Sequence, residues 1–175
     1  MEQLRKQQIQ ALGCYFGRIV ELYADWAKQE GLSYNKLAVI MTIFYGEKAT
    51  QREICSEWAL PKQTVSTICK GFEQTGLITY TAGTEDNREK YMALTAKGLA
   101  TYRPVMEKLQ AVEFYALQKM GDEKVALMLA CMEQFTSAFA KVLRRLLNDW
   151  LFIFRCSYFI GDFFDIHVKA IYGIH

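Results

Sequence analysis

From Thr50 to Leu94 the chain reads TQREICSEWALPKQTVSTICKGFEQTGLITYTAGTEDNREKYMAL, and the order of its breaks leaves few folds open. Thr50 starts a first helix: its side-chain oxygen can accept from an orphan N–H, and Glu53, three residues on, can reach back to complete a capping box. Ile54, Trp58 and Ala59 are spaced to share a buried face. Ala59-Leu60-Pro61 is a turn, and Pro61 suits the start of a second helix, where its missing N–H costs nothing. That helix is expected from about Pro61 to Thr75, with Val65, Ile68, Cys69 and Phe72 as its inward stripe. Lys62, Gln63, Thr64, Ser66, Thr67 and Lys70 are left for the outward side. Gly76 supplies the left-handed residue that ends it. Leu77–Thr81 is then β-branched and aromatic, a strand, and Tyr91–Leu94 returns beside it. The tip between them is polar, charged and too long for a two-residue turn, so it projects as a wing.

This helix–turn–helix–wing order suggests duplex binding. A helix presented across a short turn fits the major groove, where base edges are read by polar side chains and phosphates are held by Lys. Lys62, Gln63, Thr64, Ser66 and Thr67 have the content for reading or clamping the groove. Thr50, Gln51, Arg52 and Lys70 are placed for phosphates. Arg88 is long enough for a narrow minor groove, with Asp86 fixing its direction by a charge-assisted bond. No acidic residue lies between Trp58 and Phe72. The module is nevertheless balanced: Lys48, Arg52, Lys62, Lys70, Arg88 and Lys90 are six basic residues against six acidic ones, Glu53, Glu57, Glu73, Glu85, Asp86 and Glu89. Positive charge must therefore be arranged rather than abundant, and non-specific DNA affinity should be modest and salt-dependent.

The segments LPKQTVSTICKGFEQTGLI (60–78), TEDNREK (84–90) and LTAKG (94–98) together resemble the MarR family of bacterial transcription regulators. Asp86-Asn87-Arg88 matches the Asp-x-Arg of that family's wing, and the similarity in plan runs from about residue 4 to residue 147. The resemblance implies a fold that is mainly α with a small β wing, a winged helix-turn-helix plus a helical dimerisation region. It implies an obligate homodimer on double-stranded DNA, a cytoplasmic site of action and, for many members, a small effector that alters DNA affinity. Gln63 and Thr64 stand where relatives vary, so no operator sequence carries over. Gly71, inside the second helix, costs up to about 1 kcal/mol against Ala, and close approach to a neighbour is the expected reason.

The remaining chain fits a single domain over residues 1–147, with the winged helix at about 33–94 and dimerisation helices at about 3–30 and 95–147. The 175 residues suffice for a proper core. A 51% hydrophobic, 23% charged composition with net charge +2 selects no partner. Residues 3–30 read as one helix with Leu12, Tyr15, Phe16, Ile19, Tyr23 and Trp26 as its stripe, packing on its own domain or on a partner subunit. Ser33 caps the next helix, with Leu37, Ile40, Met41 and Phe44 inward and Gly46 at its end. Tyr15, Tyr23, Trp26, Met41 and Tyr45 are candidates to line a pocket for a small aromatic or amphipathic effector, or are plain core. Thr95 starts a helix to about Lys119, which Pro104 should kink or break near Arg103. After Gly121, a last helix carries Val125, Met128, Leu129, Met132, Phe135, Phe139, Val142 and Leu146 in a stripe wide enough to suggest intersubunit packing.

Five scattered cysteines without a C-x-x-C suggest a reducing cytosol, and the polar N-terminus is no signal peptide. The peroxide-sensing branch of the family uses a Cys near the start of the first helix. Cys14 falls more than a turn too late for it and is expected to be a buried structural thiol. A redox sensor on Cys14, Cys55 or Cys69 and an assembly module that reads no DNA are the rival readings. The aromatic-rich residues 148–175 hold both histidines, His167 and His175. Arg155 and Asp162 interrupt any membrane span there, leaving an extra packing helix, an interfacial segment or a non-native tail. No zinc spacing, P-loop or dinucleotide fingerprint occurs, and no Ser or Cys of the domain proper has a His base. No metal, no cofactor, no membrane and no enzymatic activity are therefore expected.

Overall fold

The computed structural model describes residues 1–82 and 90–157, with Ala82 and residues 148–157 as backbone only. The element order is α1 (Glu2–Gln29), α2 (Tyr34–Tyr45), α3 (Gln51–Trp58), α4 (Lys62–Gln74), β1 (Ile78–Ala82), β2 (Lys90–Leu94), α5 (Ala96–Met120) and α6 (Asp122–Ser157). The fold is mainly helical with one small sheet, as expected. The chain forms two compact units, Met1–Glu113 and Phe114–His175.

In the first unit α2 and α3 start where side-chain caps dictate. Ser33 Oγ accepts from Lys36 N at the start of α2. Thr50 and Glu53 form the full capping box of α3: Glu53 N donates to Thr50 Oγ1 (3.2 Å) and Thr50 N to Glu53 Oε2 (2.7 Å). Pro61 is the N-cap of α4 rather than its first residue. Gly76 takes φ +69°, the left-handed conformation that stops a helix without a Cβ penalty. Ala59 closes α3 at φ 50° and is exposed, so it does not share the buried face with Ile54; the left-handed turn rotates it outward. Ile54 is fully buried and Trp58 half-buried.

The core lies under the helix–turn–helix. Leu37, Ile40 and Ile43 of α2, Ile54 of α3, Val65, Cys69 and Phe72 of α4, Met92 of β2 and Met106 of α5 are buried together. Each such side chain contributes about 1.5–3 kcal/mol by leaving water. β1 and β2 pair antiparallel from Ile78↔Leu94 to Ala82↔Lys90. Ala49 adds a bridge to Met92 through two backbone bonds (3.0 and 2.8 Å), tying the entry of α3 to the wing.

Three local expectations are corrected. Cys14 is exposed, not buried, because the first half of α1 carries its side chains outward: Tyr15 is 69% and Ile19 52% exposed, and only Tyr23, Trp26 and Ala27 join the core. Gly71 approaches nothing, since a Cβ there would meet no atom within 4 Å. Pro104 does not break the helix near Arg103. α5 runs through it, held by the buried Tyr102, Met106 and Leu109, whose burial outweighs one missing hydrogen bond.

In the second unit Gly121, at φ +82°, separates α5 from α6. The side chains of α6 are exposed along its apolar stripe, including Phe135 and Phe139, whose rings stack at 5.8 Å. By length and composition alone Asp122–Leu147 could also cross a membrane. The helical backbone continues to Ser157, while the rest of the extension, with both histidines, lies outside the described residues.

Candidate nucleic-acid interface

α4 is fixed by its inner face and presents its outer one. Val65, Cys69 and Phe72 are buried, and Ile68 packs partly against the core. Lys62, Gln63, Thr67 and Lys70 are consequently exposed, with Thr64 and Ser66 half-buried between them. No side chain caps the start of α4, and its first turn holds no acid. Its first N–H groups and the positive end of its dipole thus face outward beside Lys62, a local environment suited to an anion. Thr67 Oγ1 donates back to Gln63 O (2.9 Å) and keeps an oxygen to accept with.

The residues expected on phosphates are placed unequally. Thr50 is 5% exposed, and its hydroxyl is engaged with Glu53. Gln51 is half-buried and donates to the Tyr80 hydroxyl of β1 (3.3 Å), which fastens α3 to the wing. Arg52 and Lys70 are exposed. Asp86 and Arg88 lie outside the described residues.

The LTAKG segment proves to be a clamp on the end of the same helix. Thr95 Oγ1 donates to Gly76 O (2.7 Å) and accepts from Gly98 N (3.0 Å), so it caps α5 while holding the turn after α4. Lys97 Nζ donates to Thr75 O (2.7 Å), a cation on the last carbonyls of α4. Gly98 is buried where a Cβ would overlap the carbonyl of Leu77.

A MarR family regulator from Neisseria meningitidis is 30% identical, with a TM-score of 0.71, over 79% of this chain and 97% of that one. The chain belongs to the MarR family of transcription regulators. The family's sequence model matches residues 30–89. Two further solved structures are similar in fold at lower identity. One is the Staphylococcus aureus MarR in complex with salicylate and kanamycin (21% identical, TM-score 0.60, 80% of this chain and 95% of that one). The other is reduced AbfR bound to DNA (18%, TM-score 0.60, 79% and 99%). No curated protein sequence matches the chain.

The structure brings some of the five effector-pocket candidates of this MarR-family chain together. Met41 and Tyr45 line a cleft between α2 and α3. Tyr23 donates to Glu113 Oε1 (2.6 Å) and Tyr45 to its Oε2 (3.1 Å), so one carboxylate of α5 ties α1 to α2. Burial first, and then Glu113, raises both phenols, Tyr45 to about 12. Trp26 packs against the core with its indole N–H buried and without a partner among the described residues, and Tyr15 is exposed. The thiols differ as well. Burial, and then nearby Cys55, pushes Cys69 up to about 11, which keeps it protonated and unreactive at neutral pH. Nothing in the sequence signals the Gln51–Tyr80 tie, whereas the LTAKG motif contains Lys97 and is the one signal for its role.

Proposed function

We propose that this protein is a sequence-specific DNA-binding regulator that acts in the cytoplasm as a homodimer on a pseudo-palindromic operator, as a ligand-responsive repressor. The observation that carries this is α4: a rigidly buried inner face with an outer face of Lys62, Gln63, Thr67 and Lys70 and no acid between Trp58 and Phe72. Lys62, Gln63, Thr64, Ser66 and Thr67 would meet the major groove. Arg52, Lys70 and the first amides of α4 would meet phosphates, with Gln51 positioned beside them and Thr50 serving them through its cap. Arg88, directed by Asp86, would take the minor groove. A homologous fold bound to DNA supports the mode of engagement.

Residues 1–147 would act as one functional domain. Dimerisation is supported by exposed apolar side chains on α1, among them Tyr15, Ile19 and Leu22, and on α6, among them Phe135, Phe139 and Leu146. On α6 the apolar residues follow steps of three and four, while Glu133, Lys141 and Arg144 fall off that stripe. Such one-sidedness suits a helix–helix seam better than a lipid-surrounded span. An effector would act by binding better to the state that does not fit DNA. Complexes of relatives with salicylate and with 4-hydroxyphenylacetate make small aromatic molecules a reasonable class to screen.

The test is selection of bound fragments from the source genome by the purified full chain. An enriched inverted repeat with half-sites about one helical turn apart is expected. No enrichment at low salt would reject DNA reading and favour an assembly module.

A further inference from the structure

A cavity of about 590 Å³ opens between α2 and α3. Its volume is that of a small-molecule site. Met41 and Ala49 line it together with the aromatic residues Tyr45 and Trp58. Its charged lining is two carboxylates, Glu53 and Glu57, and one amine, Lys48. The amine is drawn aside: Lys48 Nζ lies 4.9 Å over the ring of Tyr91 on β2. The carboxylates differ in freedom. Glu53 is committed to the cap of α3, where Oε2 accepts from both Thr50 N and Thr50 Oγ1. Glu57 is exposed, and its Oε2 lies 3.0 Å from Thr42 Oγ1, which accepts from Trp58 Nε1 (2.8 Å) and has its single proton to share between Glu57 Oε2 and Ala38 O (3.1 Å). Aromatic residues and an exposed carboxylate lining one cleft suit an organic cation with an aromatic body, the rings by packing on that body and the acid by its charge.

We infer that the α2–α3 cleft binds an organic cation with an aromatic body, with Glu57 as its counter-ion and Trp58 and Tyr45 against its apolar part. An aromatic carboxylate would meet two like charges there. The cleft is lined by no residue of α4, and it adjoins the Tyr23–Glu113 contact through Tyr45. Its occupancy does not depend on DNA binding: failure of the fragment selection would leave this inference standing, and the reverse holds too.

The experiment is calorimetric titration of the full chain with benzyltrimethylammonium and, separately, with benzoate. The cation is expected to bind, benzoate not to bind, and Glu57→Gln to weaken the cation by about fivefold, the upper size of a partly exposed ion pair. Glu107→Gln removes an exposed carboxylate of α5 and is expected to leave the affinity unchanged. In a 15N spectrum of the unaltered protein the Trp58 indole resonance should move during the cation titration. Equal binding of benzoate, no binding of the cation, an unaltered affinity in Glu57→Gln, or a Trp58 resonance that stays still during the titration would each overturn the inference. Circular dichroism on the variants separates a lost site from a lost fold.

Discussion

Gly98, in the first turn of α5, lies so close under Leu77 that a methyl group on it would overlap the Leu77 carbonyl oxygen and come within 3.2 Å of Leu94 Cδ2. That carbonyl cannot turn away, because it accepts from Thr95 N (3.0 Å). The contact lets Thr95 and Lys97 reach the end of α4, so one absent side chain sets how the wing module meets α5. Gly98→Ala is expected to lower unfolding free energy by about 1–3 kcal/mol, read by urea denaturation. A midpoint unchanged from the parent would refute the steric argument.

Gly71 should behave in the opposite way. It is exposed on α4 with open space where a Cβ would stand. Gly71→Ala is expected to stabilise the protein by about 0.5–1 kcal/mol, from the reduced entropy of the unfolded chain. The same denaturation experiment checks it, and any loss of stability would mean an unseen neighbour, such as a partner molecule, covers the site.

The Tyr23–Glu113–Tyr45 contact should leave a mark at alkaline pH. Both phenols are raised in the folded protein by burial and by Glu113. Above pH 10 the unfolded chain gives up these protons while the folded one retains them, so the unfolded state binds fewer protons and stability falls with rising pH. The contribution is whole below pH 10, the ordinary tyrosine value, and declines as pH rises towards about 12, where Tyr45 titrates. Tyr45→Phe is expected to flatten this decline in a pH series of thermal melts. A slope equal to the parent's would show that the contact does not persist in solution.

The dimer seam proposed on α6 makes Phe139→Glu informative. Phe139 is 56% exposed and stacked only on Phe135 of its own helix, so the change should not disturb the folding of one chain. Light scattering on the eluted protein should give the mass of one chain for the variant and of two for the parent. A variant that still elutes as two chains would place the seam elsewhere.

Lys62 is exposed at the first position of α4. If it holds a phosphate, Lys62→Ala should weaken binding to every sequence alike and reduce the magnitude of the salt-dependence slope by about 1. A slope unaltered between parent and variant would remove Lys62 from the interface.

The sequence by itself determined the local order. The capping box at Thr50 and Glu53, the stop at Gly76, the stripe of Val65, Cys69 and Phe72 and the pairing of two short strands all depend on residues a few positions apart, where steric and hydrogen-bonding rules act without knowledge of the rest. The outward set on α4 followed from the same periodicity. What only the tertiary structure decided depends on residues far apart in the chain. Gly71 and Gly98 look alike in sequence, yet one faces open space and the other a carbonyl 21 residues away. Periodicity put Tyr15 on one stripe with Tyr23 and Trp26, but it cannot say where along a helix the neighbours within the chain end. Thr50 carries the right atoms for a phosphate, and burial under its own cap turned them inward. A side chain's chemistry is written locally, but its exposure is set by what packs across from it.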